Sequence, residues 1–332
     1  MHKDLLQFLV CPSCHGGLQW QILATDGDDI LTADAECTLC GLCYPIREGI
    51  GVFLTEGLDR KDLWAEAKSG IGQYLEEHPK IKAQLMQSPF KKLSPTDKFL
   101  RVMILEEEGH YQESLKLGKN IIHALYTQQY MACVDKQVQY VISKLYTEDN
   151  FIFDLASGRG HLVNQLARAC KSHIVETDFS LEVLRNNRMR YQEESLTKRI
   201  SLLALDARRT PFRSNSIPIL TTFLGLPNIN NPVPLMKELR RIVAGKFFAV
   251  HHFYSEDDKE NKKALIKAGL EIFSFEKSTL QQFMNNGWQV SLKNICFSKV
   301  EPTPSSLLIE DFKIDSFPVK ETTLKWATLE AI

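Results

Sequence analysis

FIFDLASGRGHL, residues 151–162, sets three apolar residues, Phe151, Ile152 and Phe153, ahead of an acid and a small-residue turn. Leu162, Val163, Leu166 and Ala167 then repeat at helical spacing, so the stretch reads as a buried strand, a tight loop and a helix start. The loop Ala156-Ser157-Gly158-Arg159-Gly160 lets backbone come close to a ligand, because glycine has no Cβ and accepts positive φ. The helix that follows points free N–H groups at whatever lies there, which suits a carboxylate or a phosphate. This is a cradle for a nucleotide-type cofactor. A dinucleotide fingerprint would add a third glycine, whereas Gly158 and Gly160 are followed by Val163. An acid, Asp154, instead closes the strand ahead of the loop.

The run from Asp154 to Gly160 resembles motif I of the class I S-adenosylmethionine-dependent methyltransferases, where D-x-G-x-G-x-G is common and alanine often replaces the first glycine. Three later stretches fall in that family's order. HIVETDFSLEVL, 173–184, reads as a second strand ending in Asp178 and a helix capped near Ser180. The resemblance implies that Asp178, followed by Phe179, holds both ribose hydroxyls. ISLLALDARRTPF, 200–212, reads as a third strand ending in Asp206 and resembles the family's D-A-x-x-L-P-F segment. There the acid and the next backbone N–H, here Asp206 and Ala207, face the adenine. ELRRIVAGKFFAVHHFY, 238–254, resembles the family's helix, turn and fifth strand. The fourth strand is expected over Ile219 to Leu224, with Asn231 capping the next helix and Pro232 in its first turn. The implied cofactor set is Asp154, Ala156, Ser157, Gly158, Gly160, Asp178, Phe179, Asp206 and Ala207.

Methyl transfer from a sulfonium mainly needs alignment and exclusion of water, and a general base only where the acceptor must lose a proton. His251 and His252, beyond the fifth strand, are the base candidates by position. The chain departs from the family at Ser216-Ile217-Pro218, where S-F-D is usual, and at Ala244-Gly245-Lys246, where P-G-G is usual. A non-catalytic binding module on the same fold therefore stays open beside the enzyme.

Of the eight cysteines, Cys11 and Cys14 form C-P-S-C, and Cys37, Cys40 and Cys43 form C-T-L-C-G-L-C. Two C-x-x-C knuckles at this separation signal a zinc ribbon, because each turn offers two thiolates and tetrahedral closure needs two such turns. Cys11, Cys14, Cys37 and Cys40 are the expected ligands, with Cys43 spare, since Gly41 directly after Cys40 fits a knuckle turn. Cys40 with Cys43 is the competing second pair. Four thiolates leave no place for water, so the zinc is structural. YPIREGIGVFL, 44–54, reads as strand, turn and strand. With the knuckles it resembles the small zinc-ribbon proteins that activate methyltransferases in eukaryotes and archaea. Bacterial ribosomal RNA guanine methyltransferases also carry an N-terminal zinc finger, with a different metal spacing.

The 332 residues suffice for about two domains, and 44% apolar with 24% charged residues is a globular composition. A net charge of −1 argues against a global electrostatic grip on nucleic acid or anionic membrane. The N-terminal apolar run is too short for a signal peptide and nothing reaches bilayer length, so the cytoplasm, where thiols stay reduced, is the expected compartment. Residues 58–147 read as several helices, with Val134, Val138, Val141, Ile142 and Leu145 at helical spacing. Such segments often cover the substrate pocket in the resembling family, which makes His110, Tyr111, Tyr126 and Tyr130 candidate contacts. Residues 278–300 read as a helix, a Gly287 stop and two strands of a hairpin.

The expected organisation is α/β: a zinc ribbon over 1–57, a helical linker or cap over 58–147, and a Rossmann-like class I methyltransferase sheet over 148–332. S-adenosyl-L-methionine and structural Zn2+ are the implied cofactors. Arg185, Arg188, Arg190, Lys198, Arg199, Arg208 and Arg209 could make a phosphate-contacting face, so RNA is the alternative substrate. The near-neutral charge and the helical cap favour a small organic one.

Overall fold

The computed structural model describes residues 1–55, 70–118 and 121–332; the expected boundary between 57 and 58 lies outside them. The N-terminal ribbon supplies β1 (Leu18–Asp26), β2 (Asp29–Cys37), β3 (Cys43–Arg47) and β4 (Ile50–Phe53). β5 (Ile152–Asp154), β6 (Ile174–Asp178), β7 (Ile200–Leu205), β8 (Ile217–Phe223) and β9 (Val243–Phe253) follow, then β10 (Val290–Val300) and β11 (Thr322–Ala331). All belong to one sheet in the order β1-β2-β3-β4-β7-β6-β5-β8-β9-β11-β10. Strands β5 to β9 run parallel, and β5, β6 and β7 are buried at every position because layers cover both faces. The strand order reverses between β5 and β8, so the crevice beyond their carboxyl ends is where a ligand fits.

Helices Gln128–Leu145, His161–Ala169 and Leu181–Glu193 cover one face, with Val134, Val138, Val141 and Leu145 buried as their spacing predicts and Ile142 partly so. Helices Pro232–Ile242 and Glu276–Asn285 cover part of the other through Leu235, Leu239 and Phe283. The connection from β7 to β8, residues 206–216, carries no helix. The ribbon fills that place: Leu5 and Leu9 join Phe153, Val175, Leu203 and Phe212 in one apolar cluster. β4 extends the sheet as the parallel neighbour of β7, Ile50 opposite Leu202 and Phe53 opposite Leu205. Backbone bonds from Val10 N–H to Pro211 O (2.7 Å) and from Arg213 N–H to Phe8 O (2.8 Å) sew the two parts together.

Helices Gly70–Glu77, Pro79–Gln87, Pro95–Glu107, Tyr111–Gly118 and Ile122–Leu125 form a cap. Its core takes Leu308, Ile309 and Phe312 from residues 301–321, the connection between β10 and β11. The buried Asp97 ties them, accepting from Ser94 Oγ (2.6 Å), Ser306 Oγ (2.5 Å) and Leu307 N–H (3.1 Å).

Three local expectations need correction. Residues 278–300 contain one strand, β10, whose partner β11 lies across the 301–321 connection. Asn294, at φ 54°, is a bulge within β10 rather than a hairpin turn. The fourth strand runs Ile217–Phe223, not Ile219 to Leu224. Asn231 does precede a helix that begins at Pro232, but its backbone is left-handed and its side chain makes no cap bond.

Candidate functional site

The glycine turn leaves β5 in a left-handed conformation at Ala156 (φ 50°), Gly158 (51°) and Gly160 (66°). Ala156 stands where the family pattern has glycine, and holding a Cβ-bearing residue there costs about 1 kcal/mol. Ser157 N–H donates to Thr177 O (3.0 Å) and Thr177 Oγ1 to Asp154 O (2.8 Å), which laces the turn to β6. Asp178 accepts from Gly158 N–H (2.8 Å) and Ser180 N–H (2.9 Å), and Ser180 caps the helix that follows. A Cβ on Gly158 would meet no atom within 4 Å, so the turn faces outward, as a ligand cradle requires.

Gly160 faces inward instead. A Cβ there would lie 2.1 Å from the Tyr191 hydroxyl oxygen and 3.2 Å from Glu176 Oε1. Gly160→Ala is therefore expected to destabilise by roughly 2–4 kcal/mol, adding left-handed strain to overpacking against a fully buried tyrosine. Urea melts check this, and adding Tyr191→Phe should restore part of the loss.

Three acids form the floor of the turn. Asp154 accepts from Thr221 Oγ1 (2.5 Å), and Glu176 accepts from Asn187, which also donates to Gly158 O (2.7 Å). Burial pushes Asp154 up to about 7 and Glu176 up to about 8. It also raises Asp178, against the pull of its backbone donors.

β7 ends at Leu205, one residue before the expected Asp206, and at Asp206 the structure adds a partner the sequence reading lacked. Arg208 donates to Asp206 Oδ1 through its N–H (2.8 Å) and Nε (2.9 Å), and to Oδ2 through Nη2 (2.6 Å). Ala207 is buried between them and Phe179 is half-buried beside Asp178. Gly158, Asp178 and Asp206 thus stand at the carboxyl ends of three adjacent parallel strands, β5, β6 and β7.

In the ribbon, the sulfurs of Cys11, Cys14, Cys37 and Cys40 lie within 4.8 Å of one another. The two knuckles repeat one geometry. Cys11 O accepts from His15 N–H (2.8 Å) while Cys11 N–H reaches Gly16 O (2.9 Å). Cys37 O accepts from Gly41 N–H (3.0 Å) while Cys37 N–H reaches Leu42 O (2.9 Å). His15 and Gly41 share a positive φ, 58° and 71°. The second knuckle is thus numbered from Cys37, and Cys43 sits apart with its thiol toward Gly41 O at 3.8 Å. Four converging thiols fit a tetrahedral zinc and leave no open position. Arg209 fastens the first knuckle, Cys11 to Cys14, to the β7 loop, donating to Pro12 O (2.9 Å) and to Ser13 O.

The base candidates are less suited to their role. His251 is buried and bonds Phe273 O through Nε2, whereas His252 packs edge-on against Trp326 at 4.9 Å. Burial lowers their rings to about 4 and about 3, leaving both neutral and weakly basic near pH 7. In the cap, Tyr111 donates to Asn186 (3.3 Å), Tyr126 to Asp315 (2.7 Å), and Tyr130 stacks on Tyr126 at 4.7 Å; His110 is exposed. Glu106 pairs with Arg159 of the glycine turn at 2.7 Å, which sets the cap beside the cradle.

The cations that suggested a phosphate face are largely tied into the fold. Arg190 donates to Arg159 O and Asn187, Arg199 to Cys170 O and Ser172 O, and Arg208 and Arg209 as above. Arg185 and Lys198 stay exposed, with Glu182 and Asp26 at 3.7 and 3.8 Å. Sequence reasoning missed Glu176 and the Arg208 fork. An acid inside the apolar run Ile174–Asp178 was the signal for the first. An arginine two residues after a strand-end acid was the signal for the second.

Residues 153–248 match the family described as methyltransferase domain, and residues 2–49 the family described as Trm112p-like protein. A demethylmenaquinone methyltransferase of Porphyromonas gingivalis is 29% identical over 94 residues, 28% of this chain and 38% of that protein. The ubiquinone/menaquinone biosynthesis C-methyltransferase UbiE of Acidiphilium cryptum is 24% identical over 144 residues, 43% of this chain and 54% of that protein. A UPF0434 protein of Chromohalobacter salexigens is 37% identical over 70 residues, 21% of this chain and 84% of that protein. The chain spans 38% and 54% of the lengths of the two methyltransferases. No helix among the described residues is long and apolar enough to cross a membrane.

Proposed function

We propose that this chain, whose residues 153–248 match the methyltransferase domain family and residues 2–49 the Trm112p-like family, is a class I S-adenosylmethionine-dependent methyltransferase that methylates a small organic acceptor. One observation carries the reading: Gly158, Asp178 and Asp206 converge at the ends of β5, β6 and β7, with Gly158 N–H bonded to Asp178. On this reading the turn from Ala156 to Gly160 takes the amino-acid end of the donor, Asp178 takes its ribose hydroxyls, and Asp206 with Ala207 takes its base. S-adenosylmethionine itself brings the activated methyl group. The chain's part is to align donor and acceptor and to keep water out, with the cap latched to the turn by Arg159 and Glu106. The relatives named for quinone methylation, and the use of Arg190, Arg199, Arg208 and Arg209 in bonds within the fold, support a small acceptor over RNA.

Asp178→Ala tests the donor site. Losing two hydrogen bonds to a carboxylate, at about 1.5 kcal/mol each, is expected to weaken S-adenosylhomocysteine binding about 100-fold in calorimetry. Unchanged affinity in a variant that melts like the wild type would remove the assignment. For the acceptor, label from methyl-tritiated donor should pass into the low-molecular-mass fraction of a cell extract. Label appearing in RNA alone would reverse the choice.

A further inference from the structure

We infer that Asp315 is the proton acceptor of the methyl transfer, and that Tyr126, Tyr130 and Tyr254 around it hold an acceptor bearing a phenolic hydroxyl. This rests on the reading above of where the donor lies. With its base at β7, its ribose at β6 and its amino-acid end at β5, the sulfonium stands at the β5 end of that row, and the next strands outward are β8 and β9. The acceptor therefore enters over the carboxyl ends of those two. His161, the first residue of the helix after the glycine turn, packs on Phe223 at the end of β8 at 5.1 Å. Tyr254 directly follows β9 and lies 6.0 Å from His252, which meets Trp326 of β11 at 4.9 Å. Tyr130 meets the same Trp326 at 5.0 Å and stacks on Tyr126.

Against this aromatic wall the 301–321 connection sets one carboxylate. Asp315 Oδ2 accepts from the Tyr126 hydroxyl at 2.7 Å, and Asp315 N–H donates to Thr303 Oγ1 at 3.2 Å. Among the described residues nothing bonds Asp315 Oδ1 or the hydroxyls of Tyr130 and Tyr254. Burial raises the Asp315 carboxyl, which strengthens it as a base. Burial raises the three phenols as well, and the Asp315 charge adds to the rise in each, so they stay neutral donors. An acceptor hydroxyl thus meets one free acceptor and two free donors. In the transfer its O–H bond breaks and the proton passes to Oδ1. The oxygen, or a ring carbon conjugated with it, bonds the methyl carbon while the S–C electron pair stays on sulfur. Tyr130 and Tyr254 donate to the oxygen as its charge develops. A phenol, at about 10, yields its proton to a carboxylate far more readily than an alkyl hydroxyl, and its ring extends the Tyr126–Tyr130 stack.

The test is calorimetry on the full chain saturated with S-adenosylhomocysteine, comparing 2-naphthol with 2-methoxynaphthalene, which has the ring without the proton. Wild type is expected to prefer the naphthol by roughly 10- to 100-fold, the worth of one hydrogen bond to a charged acceptor. Asp315→Asn is expected to reduce that preference to a few-fold. It should also pass label from methyl-tritiated donor to the low-molecular-mass fraction of a cell extract about 100-fold more slowly, with S-adenosylhomocysteine affinity unchanged. Tyr254→Phe removes an oxygen that bonds nothing in the fold, so it should melt like the wild type and still bind 2-naphthol several-fold more weakly; it keeps the test decisive where Asp315→Asn does not fold. A wild type that binds no S-adenosylhomocysteine sinks the donor placement, and this inference with it. Where that ligand binds, a wild type without preference, an unchanged preference in either variant, or label transfer by Asp315→Asn at the wild-type rate overturns this inference alone.

Discussion

Cys37→Ser is expected to abolish bound zinc and to unfold the methyltransferase sheet together with the ribbon. Apparent zinc-binding free energies at structural sites reach about 10–16 kcal/mol, as large as the whole stability of a typical domain. In many proteins such a loss would stay within the small domain. Here the ribbon is part of the larger core. Leu5 and Leu9 cover Phe153, Val175, Leu203 and Phe212 where the β7–β8 connection provides no helix, and β4 hides the edge of β7. Without the metal those apolar groups and that edge meet water. Elemental analysis, near-ultraviolet circular dichroism and S-adenosylhomocysteine calorimetry on the same preparation read the outcome. Cys43→Ser, outside the cluster, should retain zinc, fold and binding. A Cys37→Ser protein that kept a wild-type melt would show that the knuckles close without metal.

Glu176→Gln is expected to stabilise the protein at alkaline pH and to leave it nearly unchanged in acid. Burial raises the Glu176 carboxyl from its ordinary 4.5 to about 8. Between those values the folded chain holds a proton that the unfolded chain has released, so the wild type loses stability as pH climbs from about 4.5 to about 8. At 1.36 kcal/mol per unit the full span is on the order of 5 kcal/mol, an upper figure because local opening relieves part of it. Glutamine keeps an acceptor for Asn187 and has no proton to lose. Thermal melts of both proteins from pH 5 to pH 8.5 should therefore diverge by several degrees toward the alkaline end. Parallel curves would mean that Glu176 ionises in the folded state without penalty. Asp154, raised to about 7, contributes a slope of the same sign to both proteins, and its charge is one of the causes that raise Glu176.

The sequence disclosed what depends on local chemistry. C-P-S-C and C-T-L-C carry their spacing on their face, and Gly158 and Gly160 take the left-handed backbone that a close ligand approach needs. The alternation of strand and helix from residue 151 onward followed from periodicity, and β5 to β9 run as it implied. What stayed hidden depends on distant pairing. Nothing in Ile50-Gly51-Val52-Phe53 states that its partner is Leu202 to Leu205. The hairpin expected within 278–300 failed because β10 reaches β11 only across the cap-binding connection, and the Asn294 bulge imitates a turn. Arg208 was visible as a letter, but its use depends on a turn that folds the guanidinium back onto its neighbour.

Joining β4 to β7 has a kinetic cost. The ribbon is synthesised roughly 150 residues ahead of the strand it must meet, and such remote pairings are the slow steps of folding. Until β7 arrives, a metal-loaded ribbon waits with Ile50 and Phe53 uncovered, exposed to stray partners and to proteases. Zinc supply and synthesis speed are therefore expected to affect the yield of folded chain.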